Sequence, residues 1–247
     1  MFETNGRISD ELYVRFYEKV FSQNEAFVEN IRKISNYIDD KSDLNILDIG
    51  TGAGRHYELL KNKYKTVTGI DKMPEFIKRS KIRNPDGTFI TGDVVDPDLF
   101  KDNSFSHVTC FFDTIHHNTL ESKKKIFTNI YNWLKPGGQL FINFMIKDKL
   151  DPAPRDFSRY FYDEHKVKHS LTYFENLSHD AWWTDTTYHE QYINKDGKSF
   201  LKIHKFHIEK TDELFILLKN SGFKLTDVLD YENFDINDMV LCIATKQ

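Results

Sequence analysis

The stretch Ile46-Leu-Asp-Ile-Gly50-Thr-Gly52-Ala-Gly54 decides the fold. Its short apolar run leads into glycines, a pattern that predicts a buried strand of a parallel sheet followed by a tight turn and a helix. Glycines permit positive φ and let a ligand approach bare backbone, while a helix N-terminus offers unpaired N–H groups and a positive dipole end. The stretch therefore predicts a nucleotide-cofactor site, with a purely structural turn as the alternative.

The spacing of the glycines separates the classes of cofactor. The dinucleotide fingerprint Gly-x-Gly-x-x-Gly needs a third glycine at position 55, where Arg55 stands, and the chain has no Gly-Lys-Ser/Thr phosphate loop. Asp48 lies two residues before the first glycine. A carboxylate there would repel a pyrophosphate, so it suits a ligand with positive charge, such as an ammonium or a sulfonium.

Strand and helix patterns alternate along the rest of the chain. After the first strand we predict strands at 65–70, 87–91, 107–112 and 139–144, and helices at 74–81 and 120–134. Two further helices are predicted within 8–40, and one helix at 211–221 precedes strands at 224–229 and 239–245. The alternation implies an α/β protein with a mostly parallel sheet and helices on both faces.

Acidic residues end two more of the predicted strands. Asp71 comes 21 residues after Gly50, an offset at which a carboxylate accepts both hydroxyls of a ribose. Asp93 follows the third strand and is placed to accept from an adenine amino group. The alternatives are a helix cap for Asp71 and a turn aspartate for Asp93.

Together these motifs resemble those of the class I S-adenosylmethionine (SAM)-dependent methyltransferases. The resemblance covers residues 40–146 and is carried by Ile46–Gly54, Ile70-Asp71, Thr91-Gly-Asp93, 105–117 and Leu134-Lys-Pro-Gly-Gly138. It implies a Rossmann-like seven-stranded, mostly parallel sheet with an antiparallel last strand. It also implies SAM as the cofactor and S-adenosylhomocysteine as the product.

The resemblance assigns roles to the residues around the glycine turn. The turn holds the methionyl part, Asp71 binds the ribose and Asp93 reads the adenine. The cofactor-binding residues are thus expected to be Asp48, Gly50, Gly52, Gly54, Asp71, Lys72, Met73, Asp93, Val94 and Phe111. No cluster of metal ligands stands out, so no metal is expected.

The segment after the fourth strand offers candidates for catalysis. Asp113-Thr-Ile-His116-His117 lies at the carboxyl edge of the predicted sheet, next to the cofactor crevice. A histidine, with an ordinary pKa of about 6.5, is the ready base for an acceptor that must offer a lone pair. Asp113, His116 and His117 are therefore the candidate catalytic residues. For the two histidines, substrate contact and a structural role remain open as alternatives.

Aromatic residues concentrate in one segment. Between 156 and 208 they number 12 of 53 residues, against 24 of 194 elsewhere. Asn194-Lys-Asp-Gly197 is a strong hairpin signal, so we predict a small antiparallel β insertion at 150–210, with strands at 171–174, 186–193 and 200–208, that covers the substrate. Tyr173, Trp182 and Trp183 are candidate substrate contacts, and a homodimer face is the alternative use of this segment.

The N-terminal residues 1–41 are predicted as a helical lid on a methyltransferase domain at 42–247. Tyr13 and Tyr17 share one face of the first helix and are candidate substrate contacts, with core packing as the alternative. The longest apolar run has seven residues and no secretory h-region precedes it. We therefore expect a cytoplasmic protein without a membrane segment.

The predicted function is transfer of a methyl group to nitrogen or oxygen of a small-molecule acceptor, with an amine or amino sugar favoured. The net charge of −4 disfavours a nucleic-acid partner without excluding it. An RNA methyltransferase is the alternative, because Ile115–His117 and 135–138 also resemble wobble-uridine tRNA methyltransferases. A protein that binds SAM without catalysis is a third interpretation.

Overall fold

The structure, a computed structural model, describes residues 9–20, 25–38, 44–64, 66–112, 114–145, 178–184, 187–193, 199–231 and 239–247. Packing divides the chain into a smaller unit, Met1–Gln23 with Asp151–Phe206, and a larger unit, Asn24–Leu150 with His207–Gln247. No helix in the described ranges is long and apolar enough to cross a membrane.

The described strands and helices follow the predicted order closely. The strands are β1 Asn45–Ile49, β2 Thr66–Asp71, β3 Thr88–Thr91, β4 Phe105–Cys110, β5 Leu134–Met145, β6 Ser178–Thr184, β7 Thr187–Ile193, β8 Ser199–Lys205, β9 Phe223–Asp230 and β10 Met239–Lys246. The helices are α1 Asp10–Val20, α2 Glu25–Ile34, α3 Arg55–Lys63, α4 Pro74–Arg83, α5 Leu120–Trp133 and α6 Thr211–Asn220. Short 3-10 turns occupy Pro97–Leu99 and Thr114–His117.

The larger unit is built on a seven-stranded sheet in the order β3-β2-β1-β4-β5-β10-β9. The pairs among β1 to β5 are parallel, and β10 runs antiparallel to both β5 and β9. The predicted Rossmann-like sheet with an antiparallel last strand is therefore confirmed.

The core of the larger unit fixes where the strands end. Leu47 and Ile49 of β1 are buried in one cluster with apolar residues of α5 and α6, and Ile46, which points to the other face, is fully buried too. Because β1 is buried on both sides, it cannot shift in register without exposing apolar surface. The carboxyl ends of β1, β2 and β4 thus meet at one edge, where the candidate residues follow.

The smaller unit contains an antiparallel sheet in the order β6-β7-β8. The sequence predicted β7 and β8, but not β6, because Ser178-His-Asp180 begins that strand without an alternation of apolar residues. The strand predicted at Leu171–Phe174 lies outside the described residues.

Helix α1 packs within the smaller unit. Tyr13 is buried, its hydroxyl lies 3.3 Å from Nε2 of His204, and Nζ of Lys202 lies 4.5 Å from the centre of its ring. Helix α2 groups with the larger unit instead, so α1 and α2 do not form one body. The predicted role of residues 1–41 as a lid stays a prediction.

Candidate functional site

The turn after β1 owes its shape to three glycines with positive φ. The values are +67° at Gly50, +54° at Gly52 and +78° at Gly54. The N–H groups of Gly50 and Thr51 both donate to the carbonyl of Ile70, at 2.9 and 3.1 Å. The turn is therefore tied to the carboxyl end of β2, where Asp71 stands.

The three glycines differ in what a side chain would meet. A Cβ at Gly50 would lie 2.3 Å from Oγ1 of Thr114, and one at Gly54 would lie 2.9 Å from Nδ2 of Asn84. At Gly52 the nearest atom is the carbonyl oxygen of Gly50, 3.9 Å away. Gly50 and Gly54 thus serve packing, whereas Gly52 faces open space that a ligand can fill.

Two side chains, one on α4 and one directly after its end, hydrogen-bond to the turn, and the sequence reasoning missed both. Ser80 is buried and donates its hydroxyl to the carbonyl of Gly52 at 2.7 Å. Nδ2 of Asn84 donates to the carbonyl of Gly54 at 3.2 Å. A small polar residue on the inner face of an amphipathic helix was the available signal. These bonds make the turn rigid before any ligand binds.

Asp48 is a buried carboxyl group beneath the turn. Its Oδ1 accepts a hydrogen bond from Oγ1 of Thr109 at 2.8 Å. Burial raises its pKa to about 6, although the hydroxyls of Thr51 and Thr109 favour the charged form. Neither Oδ2 of Asp48 nor Oγ1 of Thr51 has a hydrogen bond of normal geometry within the described residues. Such buried, unpaired oxygens favour a cationic or donor group as their partner.

Asp71 is held by the backbone at both carboxylate oxygens. Oδ1 accepts from the N–H of Met73 at 2.9 Å, and Oδ2 accepts from the N–H of Gly52 at 3.0 Å. Burial raises the pKa of Asp71, and the two backbone N–H groups together with the charge of Lys72 partly offset this. A carboxylate has about four lone-pair positions, so Asp71 can still accept from a ribose while these backbone bonds are in place.

Asp93 lies in a turn, as the alternative interpretation of this residue predicted. It is exposed, and its Oδ1 accepts from the N–H of Val95 at 3.1 Å. Nδ2 of the buried Asn129 donates to the carbonyls of Val94 and Val95 at 2.9 and 3.1 Å. Asn129, which the sequence did not single out, therefore fixes this loop. The predicted contacts of Asp93 and Val94 with adenine remain predictions.

The residues at the ends of β1 and β2 fit one kind of ligand. Oδ2 of Asp48, which has no hydrogen bond of normal geometry among the described residues, suits a positive group, Gly52 leaves space nearby, and Asp71 presents a fixed carboxylate to a diol. A nucleoside with a cationic tail meets all of these features. Within the described ranges, no three His, Cys, Asp or Glu side chains gather to hold a metal ion.

His116 has a structural environment. Its ring is fully buried, Nδ1 lies 3.1 Å from the carbonyl oxygen of His207, and Nε2 accepts from the N–H of Met145 at 2.8 Å. Burial, with the nearby charge of Lys123, lowers its pKa to about 3. Because both ring nitrogens are bonded within the protein, the structure argues against His116 as the general base and favours the structural alternative.

A buried ion pair supports the same region, and no pattern in the sequence indicated it. Lys123 of α5 is fully buried and donates to the carboxylate of Glu209 and to the carbonyl of His207. In the run Ser122-Lys-Lys-Lys125 it resembles a solvated lysine. This pair ties the segment before α6 to the helix that follows the candidate catalytic turn.

The remaining predicted site residues lie in different parts of the structure. His117 is exposed at the end of its 3-10 turn. Phe111 is buried with its ring centre 4.8 Å from that of His56. Tyr17 lies on α1 with its ring 5.9 Å from Tyr13 in the smaller unit. Asp113 and Tyr173 lie outside the described residues, and of Trp182 and Trp183 only the backbone, in β6, is described.

Comparisons with known proteins agree with this geometry. A family model described as "Methyltransferase domain" matches residues 46–138. A phosphoethanolamine N-methyltransferase of Plasmodium falciparum is 30% identical over 166 residues, which cover 64% of this chain and 61% of that protein. The dTDP-3-amino-3,6-dideoxy-alpha-D-glucopyranose N,N-dimethyltransferase of Streptomyces fradiae is 34% identical over 73 residues, 30% of this chain and 28% of that protein. The chain thus spans less than two thirds of either relative.

A solved structure shares the whole fold. The S-adenosylmethionine-dependent methyltransferase from Clostridium acetobutylicum superposes with a TM-score of 0.71 at 18% identity, covering 95% of this chain and 97% of that one. At this identity the likeness concerns the fold. The overall fold of the chain is therefore that of a known architecture.

Proposed function

We propose that this chain, whose residues 46–138 match a methyltransferase domain, is a class I S-adenosylmethionine-dependent methyltransferase that transfers a methyl group from SAM to a small-molecule acceptor, with an amine nitrogen favoured over oxygen. One observation carries the proposal. The carboxylate of Asp71 is fixed by the N–H groups of Gly52 and Met73 beside the buried carboxyl of Asp48, whose Oδ2 has no hydrogen bond of normal geometry within the described residues. This arrangement matches the ribose and the cationic tail of SAM.

We assign the cofactor contacts accordingly. Asp71 accepts the two ribose hydroxyls, Asp48 and Thr51 face the ammonium of the methionyl part, and Gly52 leaves room for its chain. A buried carboxylate that gains a cationic partner returns toward its ordinary pKa, so Asp48 favours a positive ligand over a neutral one. Further contacts are proposed for Lys72, Met73, Asp93, Val94 and Phe111.

Methyl transfer from a sulfonium is an in-line displacement, and SAM, when bound, supplies the electrophilic methyl group. The protein therefore contributes alignment and exclusion of water, which together can lower a barrier by about 7–11 kcal/mol. The acceptor nitrogen must be unprotonated, since an amine with an ordinary pKa of about 10 carries its proton at neutral pH. We propose His117, with Asp113, as the group that receives that proton.

The favoured acceptor class follows from the two relatives. Phosphoethanolamine and the dTDP-amino sugar in their names are both small amines that also carry phosphate. The aromatic residues Tyr13, Tyr17, Tyr173, Trp182 and Trp183 are proposed to contact the acceptor, since aromatic faces attract methylated ammonium groups. A homodimer through residues 150–210 and a cytoplasmic location remain proposals as well.

Calorimetry with SAM, S-adenosylhomocysteine and NAD tests the cofactor assignment. Wild type should bind the first two and not NAD, while Asp71→Ala should bind SAM at least about 100-fold more weakly, since two charge-assisted hydrogen bonds contribute about 1.5–3 kcal/mol each. Asp96→Ala is the matched control, because Asp96 only caps a short turn by accepting from the N–H of Asp98. Equal affinity of the two variants would sink the ribose assignment.

Incubation with methyl-labelled SAM tests the acceptor. Phosphoethanolamine, dTDP-amino sugars, pooled metabolites and pooled RNA are offered separately to the wild-type protein. Label in the amines supports the proposal, and label in RNA alone would replace it with the RNA methyltransferase. Tight SAM binding without transfer to any pool would favour a protein that binds SAM without catalysis.

A further inference from the structure

Phe112, which follows the end of β4 by two residues, has a backbone conformation that bulky residues avoid. Its φ is +47°, in the left-handed region where a Cβ crowds the following carbonyl. A residue stays in such a conformation only when its surroundings enforce it, and such residues concentrate at functional sites. Neighbouring groups must therefore hold Phe112 in this conformation.

Three buried polar side chains form a closed hydrogen-bonded ring next to Phe112. Nδ2 of Asn30 donates to Oδ1 of Asn143 at 3.4 Å, Nδ2 of Asn143 donates to the hydroxyl of Tyr231, and that hydroxyl donates to Oδ1 of Asn30. Each of the three is at most 2% exposed. The Asn30–Asn143–Tyr231 ring thus joins α2, β5 and the end of β9 through groups that satisfy one another.

The ring reaches Phe112 along two routes. Oδ1 of Asn143 accepts the N–H of Phe112 at 3.3 Å. Nδ2 of Asn30 lies 3.3 Å from Nε2 of His56, whose ring centre is 5.2 Å from that of Phe112. Burial holds the pKa of His56 well below its ordinary value, so its imidazole is neutral and Nε2 can accept from Asn30.

Phe112 also lies where a displacement would reach the cofactor turn. The hydroxyl of Thr114 donates to the carbonyl of Phe111 at 2.8 Å. The same Thr114 side chain fills the space that a Cβ at Gly50 would need. A change of backbone direction at Phe112 therefore moves the chain that packs against the glycine turn and leads to His117.

We propose that Asn30, Asn143 and Tyr231 are positioning residues that hold Phe112 in its left-handed conformation and so aim the segment after β4 at the acceptor. The proposal rests on the proposed function, because it places the acceptor beside that segment. The hydrogen bonds of the ring go to one another and to Phe112, not to the carboxylates of Asp48 or Asp71. Losing the ring should therefore lower turnover much more than it weakens SAM binding.

Tyr231→Phe removes only the hydroxyl that closes the ring. Tyr57→Phe is the matched control, because Tyr57 is equally buried and its hydroxyl accepts one hydrogen bond, from the N–H of Thr88 at 3.0 Å. We expect Tyr231→Phe to change the dissociation constant of SAM less than about 3-fold and to lower kcat about 10- to 100-fold, as small misplacements of reacting groups do. The same variant should exchange the amide hydrogen of Phe112 faster than wild type. The control should show none of these changes.

A double-mutant cycle separates positioning from general support of the fold. Glycine adopts a positive φ without enforcement, so in a Phe112→Gly background the further change Tyr231→Phe should lower kcat less than about 3-fold. Equal effects of Tyr231→Phe in both backgrounds would overturn the proposal, as would unchanged exchange at the Phe112 amide. If wild type methylates no acceptor, the proposed function fails, and exchange at Phe112 together with SAM affinity still decides whether the ring positions this residue. Should Tyr231→Phe not fold, Asn143→Asp, which keeps the acceptor for the Phe112 N–H, provides the same measurements.

Discussion

Replacing Asp48 by asparagine should make the protein more stable and its cofactor site weaker. The carboxyl group is buried with a pKa raised to about 6 from an ordinary value of 3.8. In Asp48→Asn the remaining oxygen still accepts from Thr109, and the new amide can donate to the hydroxyl of Thr51, which has no hydrogen bond of normal geometry within the described residues. The substitution therefore removes a buried charge without leaving a cavity.

The size of the gain follows from the pKa. A difference of about 2 in pKa corresponds to about 3 kcal/mol. Because the folded state binds the proton of Asp48 more tightly than the unfolded state, wild-type stability falls as the pH rises from about 4 to about 6 and stays low above that. Asparagine does not titrate, so the variant should be more stable by up to about 3 kcal/mol at pH 8 and by about half as much at pH 5.

Urea unfolding of the cofactor-free protein at pH 5 and pH 8 measures this difference. Asp96→Asn is the control, since Asp96 is exposed and its substitution should leave the stability at the two pH values nearly unchanged. An Asp48→Asn variant that is no more stable than wild type at pH 8, or whose advantage does not shrink at pH 5, would contradict the reasoning. In calorimetry the variant should bind SAM about 10-fold more weakly or worse, because a neutral amide no longer attracts the ammonium; unchanged affinity would refute that contact.

Five further substitutions test other parts of the protein. Gly52→Ala should fold, because its Cβ meets no atom closely, and should lose SAM binding, because that Cβ takes the space proposed for the ligand. Gly50→Ala should fail to fold stably, because its Cβ overlaps a neighbouring side chain. Melting curves and calorimetry distinguish the two variants. Lys123→Met should lower the free energy of unfolding by about 3–5 kcal/mol by leaving the carboxylate of Glu209 unpaired, and Glu209→Gln in the same chain should restore part of it. Asp71→Asn keeps one carbonyl oxygen, so its affinity for SAM should lie between those of wild type and Asp71→Ala, and a higher affinity than wild type would count against the ribose contact.

The outline of the fold and the cofactor side of the site could be predicted from the sequence. Three signals in the sequence are local: the short apolar runs, the glycines after β1, and the acids at the ends of β2 and β3. Each of them can be recognised from a few neighbouring residues. Asp71 and the glycine turn lie together as predicted, since parallel strands end at one edge of a sheet.

The sequence by itself therefore determined the order of the strands and helices and the position of the glycine turn beside Asp71. Only the tertiary structure decided which atoms meet. Ser80 beneath the glycine turn, the two bonded nitrogens of His116 and the ring formed by Asn30 and Asn143 depend on side chains that are distant along the chain. Burial then sets the pKa of such groups, because a histidine that accepts a proton in water stays neutral in a buried core. No local pattern carries that information, since it depends on how all the surrounding helices and strands pack.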